Sequence, residues 1–228
     1  EFNDKVTLVK GDVLNIHDWK KLPNDIDQVI NLAAINGTNN FYSIPDKVLK
    51  VNAIGTINLL EWVKAKPHIK ILYSSSSEVY AGGYDMGLVQ IPTTENTPVA
   101  FPQPTDVRFS YGTSKFMSEF LFLQFGRKFK IPVSIIRYHN IYGPRMGLRH
   151  VIPELINRLK NGESPLKVYG ANETRAFCYV LDAVEATRGI SLSTNTDQEI
   201  IHVGNQNEEI SIYNLAKTII DIMKLNVE

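Results

Sequence analysis

Short runs of Val, Ile and Leu alternate along this chain with longer stretches in which apolar residues recur every three or four positions. VTLVKG (6–11), QVINLAA (28–34), IKILYSS (69–75) and VSIIRYHN (133–140) are nearly continuous apolar runs and predict buried parallel strands. Between them the spacing predicts helices. One starts near Pro45-Asp46 and runs to about Lys66, where Pro67 stops it. A second runs from about Phe109 to Lys130, ahead of Pro132. Strand, helix, strand in repetition predicts an α/β fold built on a doubly wound parallel sheet.

After Tyr142-Gly143-Pro144 the units shorten. A helix is expected around VIPELINRLKNG, strands at PLKVYG and RAFCYV, a helix at DAVEATRGI, a strand at EIIHVG and a last helix to Lys224. We therefore expect a main domain over residues 1–144 and a smaller mixed α/β domain over 145–228, with segments of the latter returning to the main sheet. Residues 77–108 include Gly82, Gly83, Pro92, Pro98, Pro102 and Pro104 and form a connection long enough to suggest a functional loop. There are no internal repeats.

Composition narrows the function. Of the 228 residues 43% are hydrophobic and 21% charged, an ordinary globular mix. Lys+Arg and Asp+Glu both number 24, so net charge gives no reason to expect nucleic acid or an acidic membrane as partner. No apolar run approaches the roughly 18 residues of a membrane span, and the first residues lack the pattern of a signal peptide. The single Cys178 excludes an internal disulfide and suits a reducing compartment, so a cytoplasmic location is expected. It stands in an apolar run and reads as core. The five histidines show no ligand spacing, and no metal is expected. His139 reads as packed or bonded to backbone.

Two stretches carry candidate chemistry. YSSSSEVYAGG (73–83) places four serines and Glu78 where a buried strand runs out. Serines there serve as turn residues, or they floor a site, since open α/β sheets bind ligands at the carboxyl ends of their strands. Tyr111-Gly-Thr-Ser-Lys115 opens the second long helix. Residues i and i+4 share a helical face, about 6 Å apart along the axis. An ammonium beside a phenol favours phenolate and would bring a pKa of about 10 toward neutrality. A general base for an alcohol hydroxyl results.

These stretches occur with Gly11-Asp12-Val13, Leu32-Ala33-Ala34, Val51-Asn52, Arg137-Tyr-His-Asn140-Ile-Tyr-Gly-Pro-Arg145 and Arg175-Ala-Phe-Cys-Tyr-Val-Leu-Asp182. Together, and in this order, they resemble the extended short-chain dehydrogenase/reductases that act on nucleotide sugars, a group of epimerases, dehydratases and decarboxylases. The resemblance runs from about Lys5 onward and implies a Rossmann-like main domain binding NAD, with NADP left open. By match, Ser76, Tyr111 and Lys115 are the implied catalytic residues, with Glu78 beside them. Asp12, Val13, Leu32, Ala33, Ala34, Asn52, Ser74 and Tyr138, with Tyr111 and Lys115, are implied at the cofactor. For Asn52, structural support of nearby main chain is the favoured role. Ser77, Asn140, Arg145, Val151, Lys167, Val168, Tyr169 and Arg175 are implied at the nucleotide sugar.

Some positions depart from the family pattern. No glycine-rich phosphate loop precedes GDVLN, Ala81 replaces a usual glycine, and Ala176 stands where relatives often have aspartate. Against the resemblance, truncation or disorder is expected at both ends of the chain, Glu1 and Glu228. Family dehydratases place two acids after the catalytic Ser/Thr, whereas Ser77-Glu78 offers one. The expected activity is therefore C4 oxidation without loss of water, by a 4-epimerase or C4-dehydrogenase. The alternatives are a decarboxylase and a non-catalytic dinucleotide-binding relative. The apolar residues of 113–125 cover more than one helical face, so a homodimer built on the two long helices is expected.

Overall fold

The computed structural model describes residues 5–227, so the expectations about the two chain ends fall on Glu1 and Glu228, outside the described residues. In chain order the strands are β1 (Gln28–Asn31), β2 (Lys70–Ser76), β3 (Val133–Tyr138), β4 (Ile141–Tyr142), β5 (Thr174–Ala176), β6 (Cys178–Tyr179), β7 (Ile200–Val203) and β8 (Glu209–Ser211). The helices are α1 (Thr38–Ser43), α2 (Pro45–Val63), α3 (Ala81–Asp85), α4 (Ser110–Phe129), α5 (Val151–Lys160), α6 (Val180–Leu192) and α7 (Ile212–Met223). The chain divides into two compact units, one running to Arg137 and including Gly189–Ile201, the other formed by Tyr138–Arg188 with the residues from His202 onward.

The first unit is built on a sheet of order β1-β2-β3-β7, with β1 and β2 parallel from Gln28 beside Lys70 to Asn31 beside Tyr73. Pro45 starts α2, where its missing N–H costs nothing, and Lys130 ends α4 in a left-handed conformation at φ 56°. Leu59, Leu60 and Val63 from α2 and Phe122 from α4 close over Ile71, Tyr73, Val133 and Ile135 of the sheet. Burying each such side chain contributes roughly 1.5–3 kcal/mol.

The two helices meet through small polar residues. Asn52 Nδ2 donates to Ser114 Oγ at 2.7 Å, and Thr56 Oγ1 to Ser118 Oγ at 3.2 Å. The segment after α6 is tied to the sheet by Gln28 Nε2 donating to the Ser191 carbonyl at 2.7 Å and by the Lys70–Asp197 ion pair at 2.8 Å. The second unit holds two small sheets, β4-β6 and β5-β8, and a core of Leu155, Leu159, Leu166, Leu215 and Ile219 between α5 and α7.

Two expected strands are absent. VTLVKG (6–11) has no regular structure, and Val6, Leu8 and Val9 are 48%, 71% and 40% exposed. An apolar run becomes a strand only where a neighbour completes its hydrogen bonds, and among the described residues no strand pairs with it. PLKVYG is irregular because Arg158 Nη2 takes the Lys167 carbonyl, at 2.5 Å, that a ladder would need. RAFCYV breaks at Phe177 into β5 and β6, which pair with different partners. Among the described residues no helix is long and apolar enough to cross a membrane.

Candidate active site

Strand β2 delivers its serines to its carboxyl end, and there the chain turns sharply through Ser77–Tyr80. Ser76 caps that turn, its Oγ accepting from the Glu78 N–H at 3.2 Å. Helix α4 approaches from the side. Gly112 makes this possible, because a Cβ there would stand 2.4 Å from the Glu78 carbonyl oxygen.

The approach places Tyr111 and Lys115 over the end of β2. Both are buried, at 5% and 1% exposure. Lys115 Nζ donates to the Ser74 carbonyl at 2.5 Å and lies 4.9 Å from the Tyr73 ring and 5.6 Å from the Tyr111 ring. Tyr111 stacks on Phe41 with centroids 4.9 Å apart, and Ala34 packs in the same cluster. Ser114 links this site to α2: its Oγ accepts from Asn52 and donates to the Tyr111 carbonyl at 2.7 Å. Asn52 is thus tied to α4, with its Oδ1 buried and unpaired.

The electrostatics differ from the sequence expectation. Burial pushes the Tyr111 phenol upward, and the charge of Glu78 adds to the rise, while a hydrogen bond with Ser76 opposes it. Burial also pulls Lys115 down to about 7, against the charge of Glu119, which holds it up. The expected lowering of the phenol by its lysine is therefore absent in the protein alone. Desolvation outweighs an ammonium that is itself half deprotonated near neutrality and turned to Ser74. Glu78 is held by Arg108 Nη1 at 2.7 Å. Ser77 is half-buried in the same turn.

The other expected cofactor residues lie as follows. Asp12 is exposed, its Oδ1 accepting from the Leu14 N–H at 2.9 Å. The Val13 carbonyl accepts from Asn58 Nδ2 at 2.9 Å, which fixes this segment against α2. Leu32 and Ala33 follow β1 with exposed side chains.

In the second unit, the Tyr138 hydroxyl is 2.6 Å from Thr187 Oγ1. Asn140 and Arg145 are exposed and left-handed, at φ 44° and 67°. Val151 opens α5, half-buried. Lys167, Val168 and Tyr169 follow the buried Leu166, with Lys167 Nζ 5.0 Å from the Tyr169 ring. Arg175 is exposed on β5, and its Nη1 donates to the Thr174 carbonyl at 2.6 Å.

Sequence reasoning passed over Ser75, Tyr80, Arg108, Glu119 and Arg137. Two signals were available: Glu119 repeats the four-residue step from Lys115, and Arg137 is a charge in an otherwise apolar strand.

Comparison with known proteins places this geometry in context. A family model described as the NAD dependent epimerase/dehydratase family matches residues 1–204. The chain is similar to a UDP-N-acetyl-alpha-D-glucosaminuronate decarboxylase of Bacillus cytotoxicus, 33% identical over 96% of this chain and 66% of that protein. It is similar also to a putative UDP-glucose 4-epimerase of Methanocaldococcus jannaschii, 30% identical over 90% of this chain and 65% of that protein. Among solved structures, the dTDP-glucose 4,6-dehydratase of Bacillus anthracis in complex with NAD matches with a TM-score of 0.75 and 28% identity, over 95% of this chain and 64% of that one. The chain thus spans just under two thirds of the length of each of these proteins.

Proposed function

The chain belongs to the NAD dependent epimerase/dehydratase family, and from that premise we propose that the full protein oxidises the C4 hydroxyl of a nucleotide sugar with NAD. The observation that carries this reading is the convergence of Ser76, Tyr111 and Lys115 at the carboxyl end of β2. A binding module has no use for a buried lysine and a buried phenol at one strand end.

The residues present fit part of a dinucleotide. Asp12 offers an exposed carboxylate to an adenine amine, Ala33 and Ala34 leave the backbone after β1 accessible, and the Lys115 amine keeps hydrogens beyond its bond to Ser74. No glycine-rich phosphate loop is among the 228 residues, so no role is assigned for the diphosphate. When bound, NAD supplies the hydride acceptor and, in its oxidised form, a positive charge.

Oxidising a carbinol removes a proton from oxygen and a hydride from carbon. Tyr111 takes the proton, Ser76 holds the oxygen by a hydrogen bond, and protonated Lys115 stabilises the phenolate. Because burial keeps the phenol neutral in the protein alone, Tyr111 is a poor base until a positive charge joins it.

The fate of the 4-keto sugar depends on the acids and bases nearby. Dehydration needs one group to take the C5 proton and a second to protonate the leaving hydroxyl. Ser77 is too weak an acid, and Glu78 is bound to Arg108. Epimerisation or net dehydrogenation at C4 needs only the three residues named. Decarboxylation is the second reading, favoured by the likeness to a sugar-acid decarboxylase. A 4-keto uronate is a β-keto acid, which expels carbon dioxide to leave an enolate that needs only a proton at C5.

Incubating the full-length protein and NAD with UDP-, GDP- and dTDP-sugars and their uronates, then reading product masses, tests the proposal. An unchanged mass with inverted C4, or loss of two hydrogens, is expected. Loss of carbon dioxide selects the second reading, and loss of water overturns the argument from Ser77.

We infer also that the full protein forms a homodimer through α2 and α4. Their outer side carries a groove of about 430 Å³ lined by Leu60, Glu61 and Lys64 from α2 and Phe120, Gln124 and Lys128 from α4. Phe120 is 55% exposed and Ile57 46%.

A further inference from the structure

Beneath Ser76 and Lys115 lies a charged pair that the proposed chemistry does not use. Glu119 follows Lys115 by one helical turn, and Arg137 stands in the apolar strand β3. Their side chains are 2% and 3% exposed. Arg137 grips the carboxylate with two donors, Nε to Oε1 at 2.9 Å and Nη2 to Oε2 at 2.6 Å. Ser75, between Ser74 and Ser76, donates to the same Oε1 at 2.5 Å. The remaining arm of Arg137, Nη1, donates to the Tyr80 hydroxyl and to the Glu95 carbonyl, the latter at 3.4 Å. One guanidinium and one carboxylate thus join β2, α4, β3, the turn after β2 and the long loop that follows.

Stability alone is a weak reason for such a pair, since apolar residues of similar volume often replace buried ion pairs without loss. We propose that Glu119 and Arg137 are positioning residues, on the reading that Ser76, Tyr111 and Lys115 carry the reaction. They fix the end of β2 against α4 and set the charge that Lys115 faces. The groups facing Lys115 are the Tyr73 ring and Ser74 carbonyl from β2, and Tyr111 and Glu119 from α4, with Arg137 of β3 behind Glu119. Glu78 acts on Tyr111 rather than on Lys115.

The two partners have opposite effects. Glu119→Gln removes the charge that holds Lys115 up and leaves Arg137 unbalanced, so the Lys115 titration moves to lower pH, by roughly one to three units. Arg137→Met leaves the carboxylate to Lys115 alone and moves the titration to higher pH. The test is the Lys115 13Cε resonance in the full-length protein, assigned with Lys115→Arg and followed against pH. Opposite shifts in the two variants support the proposal, and an unmoved resonance in both overturns it.

Should either single variant fail to fold, Glu119→Leu with Arg137→Met removes both charges together. A folded double variant with kcat lowered on the order of 10²-fold and little change in KM supports the positioning role, and unchanged kcat overturns it. If the wild-type protein turns over no nucleotide sugar, the proposed function fails, while the resonance still decides the role of the pair.

Discussion

Replacing Tyr111 with Phe keeps the stack on Phe41 and removes only the hydroxyl that bonds Ser76. Turnover by the full-length variant should fall by about 10²–10⁴-fold with cofactor affinity nearly intact. Near wild-type kcat in steady-state assays would rule out Tyr111 as the base. Lys115 makes a separate prediction about stability. Its pKa falls from 10.5 unfolded to about 7 folded. Between those values the unfolded chain binds a proton that the folded chain lacks, so this group's contribution to stability rises with pH across that window. Lys115→Met should therefore raise the melting temperature most below pH 7, by on the order of 3 °C or more, with the gain shrinking toward pH 10.5. Calorimetry at both ends of the window measures it, and a gain independent of pH would refute the assignment. Tyr111 and Lys115 were legible in the sequence because helical spacing alone makes them neighbours. Glu119 and Arg137 showed in the sequence only as a helical step and a charge in an apolar strand, because their meaning depends on pairing between separate elements, and Ser75 meets Glu119 across 44 positions.

Helix α4 touches the turn after β2 where Gly112 leaves no room for a side chain. Gly112→Ala would force a Cβ against the Glu78 backbone, which cannot swing aside as a side chain does. A loss of about 1–3 kcal/mol is expected, and kcat should fall with it, because Ser76 lies two residues from Glu78. Urea unfolding and turnover measured on the same variant check this; wild-type values in both would show that the contact gives way freely. At this scale most of the fold could be read from the sequence. The runs that became β1, β2 and β3 and the stretches that became α2 and α4 declare themselves by period and by their prolines. VTLVKG misled because an apolar run describes what a segment can bury, while pairing depends on a neighbour elsewhere in the chain. PLKVYG misled because a side chain, Arg158, claimed a backbone carbonyl.

For the molecule as a whole, the proposed dimer rests on the exposed side of α2 and α4. Phe120→Asp would put a charge in the middle of that surface, and the full-length variant should run as a monomer in light scattering at micromolar concentration. An unchanged dimer mass would place the contact elsewhere, and a monomeric wild type would exclude self-association. Helix α4 has a second consequence. Tyr111 and Lys115 share this one rigid rod with Met117 and Phe120, so a partner subunit leaning on its far side would steady the end proposed to handle protons. Specific activity should then decline on dilution below the dissociation constant of the dimer and return on concentration. Residues far from any substrate would in that way govern the rate of the proposed reaction at the copy number a cell provides.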